Sequence, residues 1–139
     1  MKVKGLLVLF LAFGLNFFNA SAQTGDVFEV IVNSPDHSKF VKSLNASSLV
    51  NTLKTGGQLT VFAPTNEAFG KISKGRLDSL FRPEMKDALS AIVGYHVITG
   101  KFDVATLINN MKHGGGETQL LTISGRKLLV MQEGDKIKI

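Results

Sequence analysis

Histidine is the side chain best suited to acid–base chemistry or metal binding near neutral pH. The chain has three, His37, His96 and His113, which are widely separated. No spacing of His, Asp or Glu resembles a zinc or calcium loop, and cysteine is absent. The segment Glu133-Gly134-Asp135 places two acids close together, but this pattern is typical of a turn. The sequence therefore predicts no metal site and no cofactor.

Nucleophilic catalysis has little support in the sequence, which lacks the Gly-x-Ser-x-Gly elbow of many hydrolases. Lys112 and His113 precede three glycines, residues 114–116, whose backbone amides could hold an anion. The Gly-Lys-Ser/Thr ending of a phosphate loop is missing. We interpret the glycines as a flexible connection and predict no catalytic residue. A secreted hydrolase that uses a serine together with His96 stays open as an alternative.

The adjacent pair Tyr95-His96 is the best candidate for contact with a partner. We predict that the pair opens a strand from Tyr95 to Ile98, in which one ring points inward and the other outward. The rings would either contact a partner or form hydrogen bonds to neighbouring backbone. We favour the second interpretation because buried polar groups are usually satisfied within the fold.

The helices and strands that must position such residues are predicted most clearly between positions 60 and 69. Thr60 to Phe62 is β-branched and aromatic, which is typical of a buried strand. Pro64 has no N–H and ends the strand, and Thr65 can cap a helix that begins at Asn66. Asn66 is expected to brace this turn. Two residues are expected in the core, Phe62 and Phe69.

The remaining pattern predicts an α+β fold. Apolar spacing and capping residues indicate helices at 26–32, from 34 onward, at 48–54, from 83 onward and at 104–108. The helix that Pro83 opens should place one apolar face inward, formed by Met85, Ala88, Leu89, Ile92 and Val93. Strands are predicted at 118–123, 127–131 and 136–139, joined by turns. Helices thus come first and hairpins last, which argues against a doubly wound sheet.

Two segments resemble the signature sequences of fasciclin-like domains. The first is Thr60 to Phe69, and the second is Gly94 to Gly100, which is similar to the Tyr-His segment of that family. The resemblance covers about 26–139. It implies two packed antiparallel β-sheets with flanking helices and a non-catalytic adhesion module. It also implies a role for Tyr95 and His96 in cell attachment and partner binding.

One departure from the family concerns the end of the chain. Fasciclin-like domains usually continue into a closing strand, whereas this sequence stops at Ile139 within an alternating pattern. We therefore expect a domain that is incomplete at its C-terminus and lacks the closing strand. An uncovered sheet edge is a template for another strand. Residues 23–139 alone are accordingly expected to be unstable, or to self-associate through this edge.

The first residues predict export. Lys2 and Lys4 precede an apolar run from Gly5 to Phe18, and Ala20-Ser21-Ala22 suits signal peptidase. The run is shorter than the ~20 apolar residues of a membrane-spanning helix. We therefore expect a signal peptide at 1–22, a mature single domain at 23–139 and no membrane span after cleavage. The protein is expected to be secreted, at the cell surface or in the periplasm.

Charge and composition narrow the partners. Cleavage lowers Lys plus Arg from 16 to 14 and leaves Asp plus Glu at 11, so the net charge falls from +5 to +3. No basic cluster with interleaved aromatics is present, and no nucleic-acid partner is predicted. We expect an adhesion or binding module that contacts surface or matrix proteins or polysaccharides. An envelope or periplasmic protein that binds a small ligand between its sheets is the first alternative.

Overall fold

A computed structural model describes residues 26–139, so the predicted signal peptide lies outside the described residues. The described chain is mainly helical, with two short strands between groups of helices, before it ends in hairpins. The helices are α1 Val27–Val32, α2 Ser38–Ala46, α3 Val50–Thr55, α4 Asn66–Gly70, α5 Lys74–Leu80, α6 Lys86–Gly94 and α7 Val104–His113. The strands are β1 Leu59–Val61, β2 Val97–Thr99, β3 Glu117–Leu121, β4 Lys127–Glu133 and β5 Lys136–Lys138. Two 3₁₀ turns, Pro35–His37 and Pro83–Met85, lead into α2 and α6.

Side-chain caps start three of the helices, because the first amides of a helix lack partners within it. Asp26 accepts from Glu29 N at 2.9 Å at the start of α1. Thr65 Oγ1 accepts from Ala68 N at 3.2 Å, as the sequence predicted for α4. Asp103 Oδ1 accepts from Thr106 N at 2.8 Å and starts α7, which runs to His113 instead of ending near 108.

The predicted strand from Tyr95 to Ile98 is wrong at its start. Tyr95 and His96 form a turn after α6, and β2 begins only at Val97. The reason is hydrogen bonding: Tyr95 N donates to Ala91 O at 3.0 Å, and His96 N donates to Val93 O at 3.0 Å. Both amides therefore complete the helix and are not free to enter a ladder. Helix α5 is a further difference, since no helix was predicted at residues 74–80.

The strands form two antiparallel sheets, which confirms the predicted α+β class. β1 pairs with β2, and the second sheet has the order β3-β4-β5. A bridge between Ile98 and Thr122 brings the sheets together, and Ile123 N donates to Val97 O at 2.9 Å. The sheets do not close into a barrel among the described residues.

The core has two parts. Helices α1, α2, α3 and α6 pack with β1 around one cluster, which includes Ile31, Phe40 and Val61. Phe62, Leu107 and Val130 belong to the second cluster, between α7 and the larger sheet. Phe62 is buried as predicted. Phe69 is only half-buried and packs against the first cluster from its edge, so its assignment to the core was too simple.

Candidate functional site

The two signature segments meet directly in the structure. Phe62 N, just after β1, donates to His96 O at 2.8 Å, just before β2. Pro64 and His96 then line the same groove, together with Phe40 of α2. Residues more than 30 positions apart in sequence thus form one wall, and this groove is the candidate site.

The groove is apolar and lies among helices. It is bounded by α2, α6 and the α4–α5 segment, and it is partly open to solvent. Ile72 and Ile92 lie at its rim and are 37% and 44% exposed. Ile92 and Ala88 are both exposed, which contradicts the expectation that they would be buried with Leu89 and Val93. The remaining lining side chains are Ser43, Phe69, Leu77, Leu80, Leu89 and Val93.

His96 is held in one orientation by a hydrogen bond to α6. Its Nδ1 lies 2.9 Å from Ile92 O, and because a carbonyl oxygen only accepts, Nδ1 carries the proton. In the neutral ring, Nε2 is then an acceptor. The ring also packs against Phe40, with centroids 5.8 Å apart. Burial lowers the pKa of His96 below its usual value, and the bond to Ile92 opposes this only in part.

This lowered pKa predicts a specific pH dependence of stability. In the unfolded chain His96 gains a proton near its ordinary pKa of about 6.5, whereas in the folded protein protonation requires lower pH. The unfolded state therefore binds more protons, and stability that is complete above about pH 6.5 is lost as the pH falls. Urea denaturation at pH 7.5 and 5.5 measures the loss. We expect His96→Gln to reduce it, and an equal loss in parent and variant would contradict the assignment.

Tyr95 points away from His96. The two rings are nearly perpendicular, at 89°, and their centroids are 6.1 Å apart. Tyr95 packs against the second core cluster, and its hydroxyl donates to Lys127 O of β4 at 3.2 Å. The pair therefore does not form a single contact surface: one ring faces the groove and the other the larger sheet.

Asn66 makes hydrogen bonds to distant residues, whereas the sequence predicted only that it would brace its own turn. Its Oδ1 accepts from Lys39 N at 2.9 Å, and its Nδ2 donates to Pro35 O at 3.0 Å, across about 30 residues. Nearby, the ring of buried His37 donates through Nδ1 to Pro64 O at 3.1 Å. Together these bonds attach the start of α2 to the start of α4. The proline, histidine and asparagine types were visible in the sequence, but the pairing was not.

Replacing Asn66 with alanine is expected to destabilise the domain by about 1–2 kcal/mol, because two tertiary hydrogen bonds to backbone are lost. Chemical denaturation measures the change. Asn45, exposed on α2, provides the control, and Asn45→Ala should shift stability by less than about 0.5 kcal/mol. Equal effects at the two positions would show that the hydrogen bonds of Asn66 contribute nothing to stability.

Comparison with known proteins identifies the family. A model of the fasciclin domain matches residues 35–139, about three quarters of the chain. The chain belongs to the fasciclin-domain family. The fold that this family shares therefore explains the expected two-sheet architecture and both signature segments.

Several curated proteins resemble this fasciclin domain. Protein sll1483 of Synechocystis is 33% identical over 113 residues, which cover 81% of this chain and 58% of that protein. The immunogenic protein MPB70 of Mycobacterium bovis is 30% identical over 112 residues, 77% of this chain and 52% of that protein. The cell surface glycolipoprotein MPB83 of the same species is 50% identical over 54 residues, 39% of this chain and 23% of that protein. The chain spans somewhat over half the length of the first two.

Fasciclin-domain homologues are adhesion-related extracellular proteins, which supports a non-catalytic module. The hydrolase alternative would need a serine that bonds to His96. Ser43 lines the same groove, but its hydroxyl donates to Lys39 O at 3.0 Å, and His96 Nδ1 is engaged by Ile92. Among the described residues, no serine–histidine hydrogen bond is present. The groove also lies among helices, whereas the first alternative placed a ligand between the sheets.

The other candidate residues lie apart from the groove in this fasciclin domain. His113 donates through Nδ1 to Asn109 O at 2.8 Å at the end of α7. Glu133 pairs with Lys138 at 3.5 Å in the last hairpin. Over residues 26–139, no cluster of three potential metal ligands occurs, and no helix is long and apolar enough to cross a membrane.

Proposed function

We propose that this chain is an exported, non-catalytic adhesion module that contacts surface or matrix proteins or polysaccharides. The match to the fasciclin domain over residues 35–139 carries the proposal, because the family's homologues are adhesion-related extracellular proteins. The basic and apolar start of the sequence, with Ala20-Ser21-Ala22, supports export. The name of MPB83, a cell surface glycolipoprotein, places one relative at the cell surface.

Within this function, we assign Tyr95 and His96 a positioning role. Each side chain forms a hydrogen bond to backbone of its own domain, at 3.2 Å for Tyr95 and 2.9 Å for His96. Their rings also pack into different parts of the core. The turn they form joins the end of α6 to β2, so it holds the helical part of the domain against the sheets. A partner would then contact surfaces that this turn keeps in place.

The proposal predicts how substitutions in this turn affect attachment. We expect His96→Ala to lower the melting temperature because it removes a packed ring and a backbone hydrogen bond, and attachment should fall together with the folded fraction. Tyr95→Phe removes only the hydroxyl that bonds Lys127 O and should cost about 0.5–1.5 kcal/mol. Thermal melts are measured beside binding of cells or matrix to immobilised protein.

Ile139→Ala is the matched control, since Ile139 is 57% exposed and follows β5, which pairs with β4 at residues 131–133 and not at Lys127. Loss of attachment by His96→Ala at an unchanged melting temperature would contradict the positioning role and make His96 a contact residue. Absence of attachment by the parent protein to any cell or matrix preparation would overturn the adhesion proposal itself.

A further inference from the structure

The groove is large enough for one side chain and too small for a whole ligand. Its cavity volume is about 40 Å³. That is a few times the roughly 10–15 Å³ that one water needs, and far below the roughly 300–1,000 Å³ of small-molecule sites. Ile72 and Ile92 extend the apolar surface at the rim, where they are 37% and 44% exposed. A shallow apolar depression with apolar margins suits one projecting aliphatic side chain of a partner.

The part of α6 next to Ile92 carries small side chains. Ala88 lies four residues before Ile92 and Ala91 directly before it, and both alanines are exposed. On an ordinary surface helix, such positions hold polar or charged residues. The distance between two packed helices depends on the side chains at their contact. This side of α6 therefore allows a second helix to approach closely beside the groove.

Charged residues are distributed unequally over the helices that line the groove, α2, α4, α5 and α6. Residues three or four positions apart on a helix lie on the same face. Four charged residues stand at this distance from a lining residue of their own helix, and all four are basic and exposed: Lys39, Lys74, Arg76 and Lys86. The acids of these helices, Glu67, Asp78 and Asp87, occupy other positions. The groove side of the helices is therefore basic, which favours an acidic partner.

The lining of the groove offers few polar groups to a partner's backbone. Pro64 O already accepts a hydrogen bond from His37. Ile92 O already accepts one from His96. An extended peptide would leave its own N–H and C=O groups unpaired against such a surface, at a cost for each. A helix pairs these groups within itself and can present an apolar side chain without that cost.

We infer that the groove is a docking surface for an acidic amphipathic helix of a partner protein, which inserts one aliphatic side chain into the depression. The inference rests on the proposed adhesion function, because it names a contact surface and the chemistry of the partner. Helix-in-groove recognition uses apolar anchors spaced three and four residues apart. One anchor fills the depression, its neighbours lie against Ile72 and Ile92, and the acidic flanks of the helix face the four basic residues.

An NMR titration of the isotope-labelled protein with a designed peptide tests the inference. The peptide has about 18 residues, long enough to form a helix in water, with leucines on one face, glutamates on both flanks and alanine elsewhere. We expect saturable shifts of the backbone amides of Ile72, Leu77 and Ile92. A peptide with lysine in place of each glutamate should bind at least about tenfold more weakly. Equal affinity for the two peptides, or no saturable shift with the acidic peptide up to about 2 mM, would overturn the inference.

Matched substitutions locate the site. Lys74→Gln should weaken binding of the acidic peptide about two- to fivefold, as expected for an exposed ion pair. Lys112→Gln is its control, because Lys112 is exposed on α7, which does not line the groove, and both variants lose one positive charge. Ile92→Glu should weaken binding at least about tenfold by placing a carboxylate at the apolar rim. Ile139→Glu, at an exposed isoleucine outside the groove, should leave binding unchanged.

Thermal melts of all four variants establish that each is folded before binding is compared. If the Ile92 variant does not fold, Lys74→Gln against Lys112→Gln still decides the question, and equal effects of these two would overturn the inference. Sedimentation with phosphatidylglycerol vesicles tests a second occupant: vesicle binding without peptide binding would mean that a membrane surface is recognised. Shifts of the groove amides that depend on the concentration of the protein alone would mean that a second copy binds there. Either result contradicts the inference.

The titration uses neither cells nor matrix, so this inference and the adhesion proposal fail separately. Binding of the acidic peptide by a protein that attaches to no cell or matrix preparation would overturn adhesion alone. Attachment by a protein that does not bind the peptide would overturn the acidic-helix inference alone. Where both occur, the acidic peptide should compete with attachment, and the lysine peptide should not.

Discussion

Replacement of Phe62 by alanine is expected to lower the free energy of unfolding by about 3–5 kcal/mol, the usual range for removal of a buried aromatic ring. Phe62 is 7% exposed and packs with Ile98, Leu107 and Leu128 between α7 and the larger sheet. A domain of ordinary stability has about 5–15 kcal/mol in total, so this loss is a large fraction of it. Urea denaturation followed by circular dichroism measures the change.

Leu121→Ala serves as the control because it removes an aliphatic side chain that is 64% exposed on β3. Its denaturation midpoint should stay within about 0.5 kcal/mol of the parent. A Phe62→Ala midpoint that matched this control would show that the ring is not part of the core.

Gly114→Ala is expected to destabilise the domain by about 2–3 kcal/mol. Gly114 ends α7, and a Cβ at this position would collide with Glu117 O, while Asn110 O lies 3.3 Å away. Both neighbours are backbone atoms that cannot rotate away, so the turn into β3 must shift. Thermal and urea denaturation report the loss.

Gly75→Ala is the matched control, because an added Cβ there meets no atom within 4 Å. Gly75 lies inside α5, where alanine is the better helix former, so this variant should be more stable by up to about 1 kcal/mol. If Gly114→Ala were as stable as the parent, the connection between α7 and β3 would be adaptable. The triple glycine would then serve flexibility, as the sequence alone suggested, and not close packing.

The sequence predicted those parts of the fold that depend on neighbouring residues. The cap at Thr65 forms as expected, and Asp103 caps α7 in the same way, because an N-cap bond spans three residues and its partners are fixed by the helix itself. The proline stop after β1 and the alternating strands of the last hairpins are likewise local. The signature segments identified the family for the same reason: each is short and continuous.

Helix α5 and the turn at Tyr95 show where local reading failed. Leu77, Leu80 and Phe81 have helical spacing after Ser73, so a signal for α5 was present, although Gly75 weakens it. Tyr95 and His96 have strand-like neighbours, yet the carbonyls of α6 take both of their amides. The boundary between α6 and β2 depends on competition between helix and ladder bonds, which composition does not decide.

The sequence by itself determined the class of fold, the family and the residue types of the candidate site. Only the tertiary structure decided that Asn66 clamps α2, that Tyr95 and His96 face different parts of the core, and that Ile92 borders a groove. These facts depend on contacts between segments about 30 or more residues apart, such as His37 to Pro64 and Tyr95 to Lys127. Such contacts are fixed by how the helices and sheets pack together, and packing depends on every element at once.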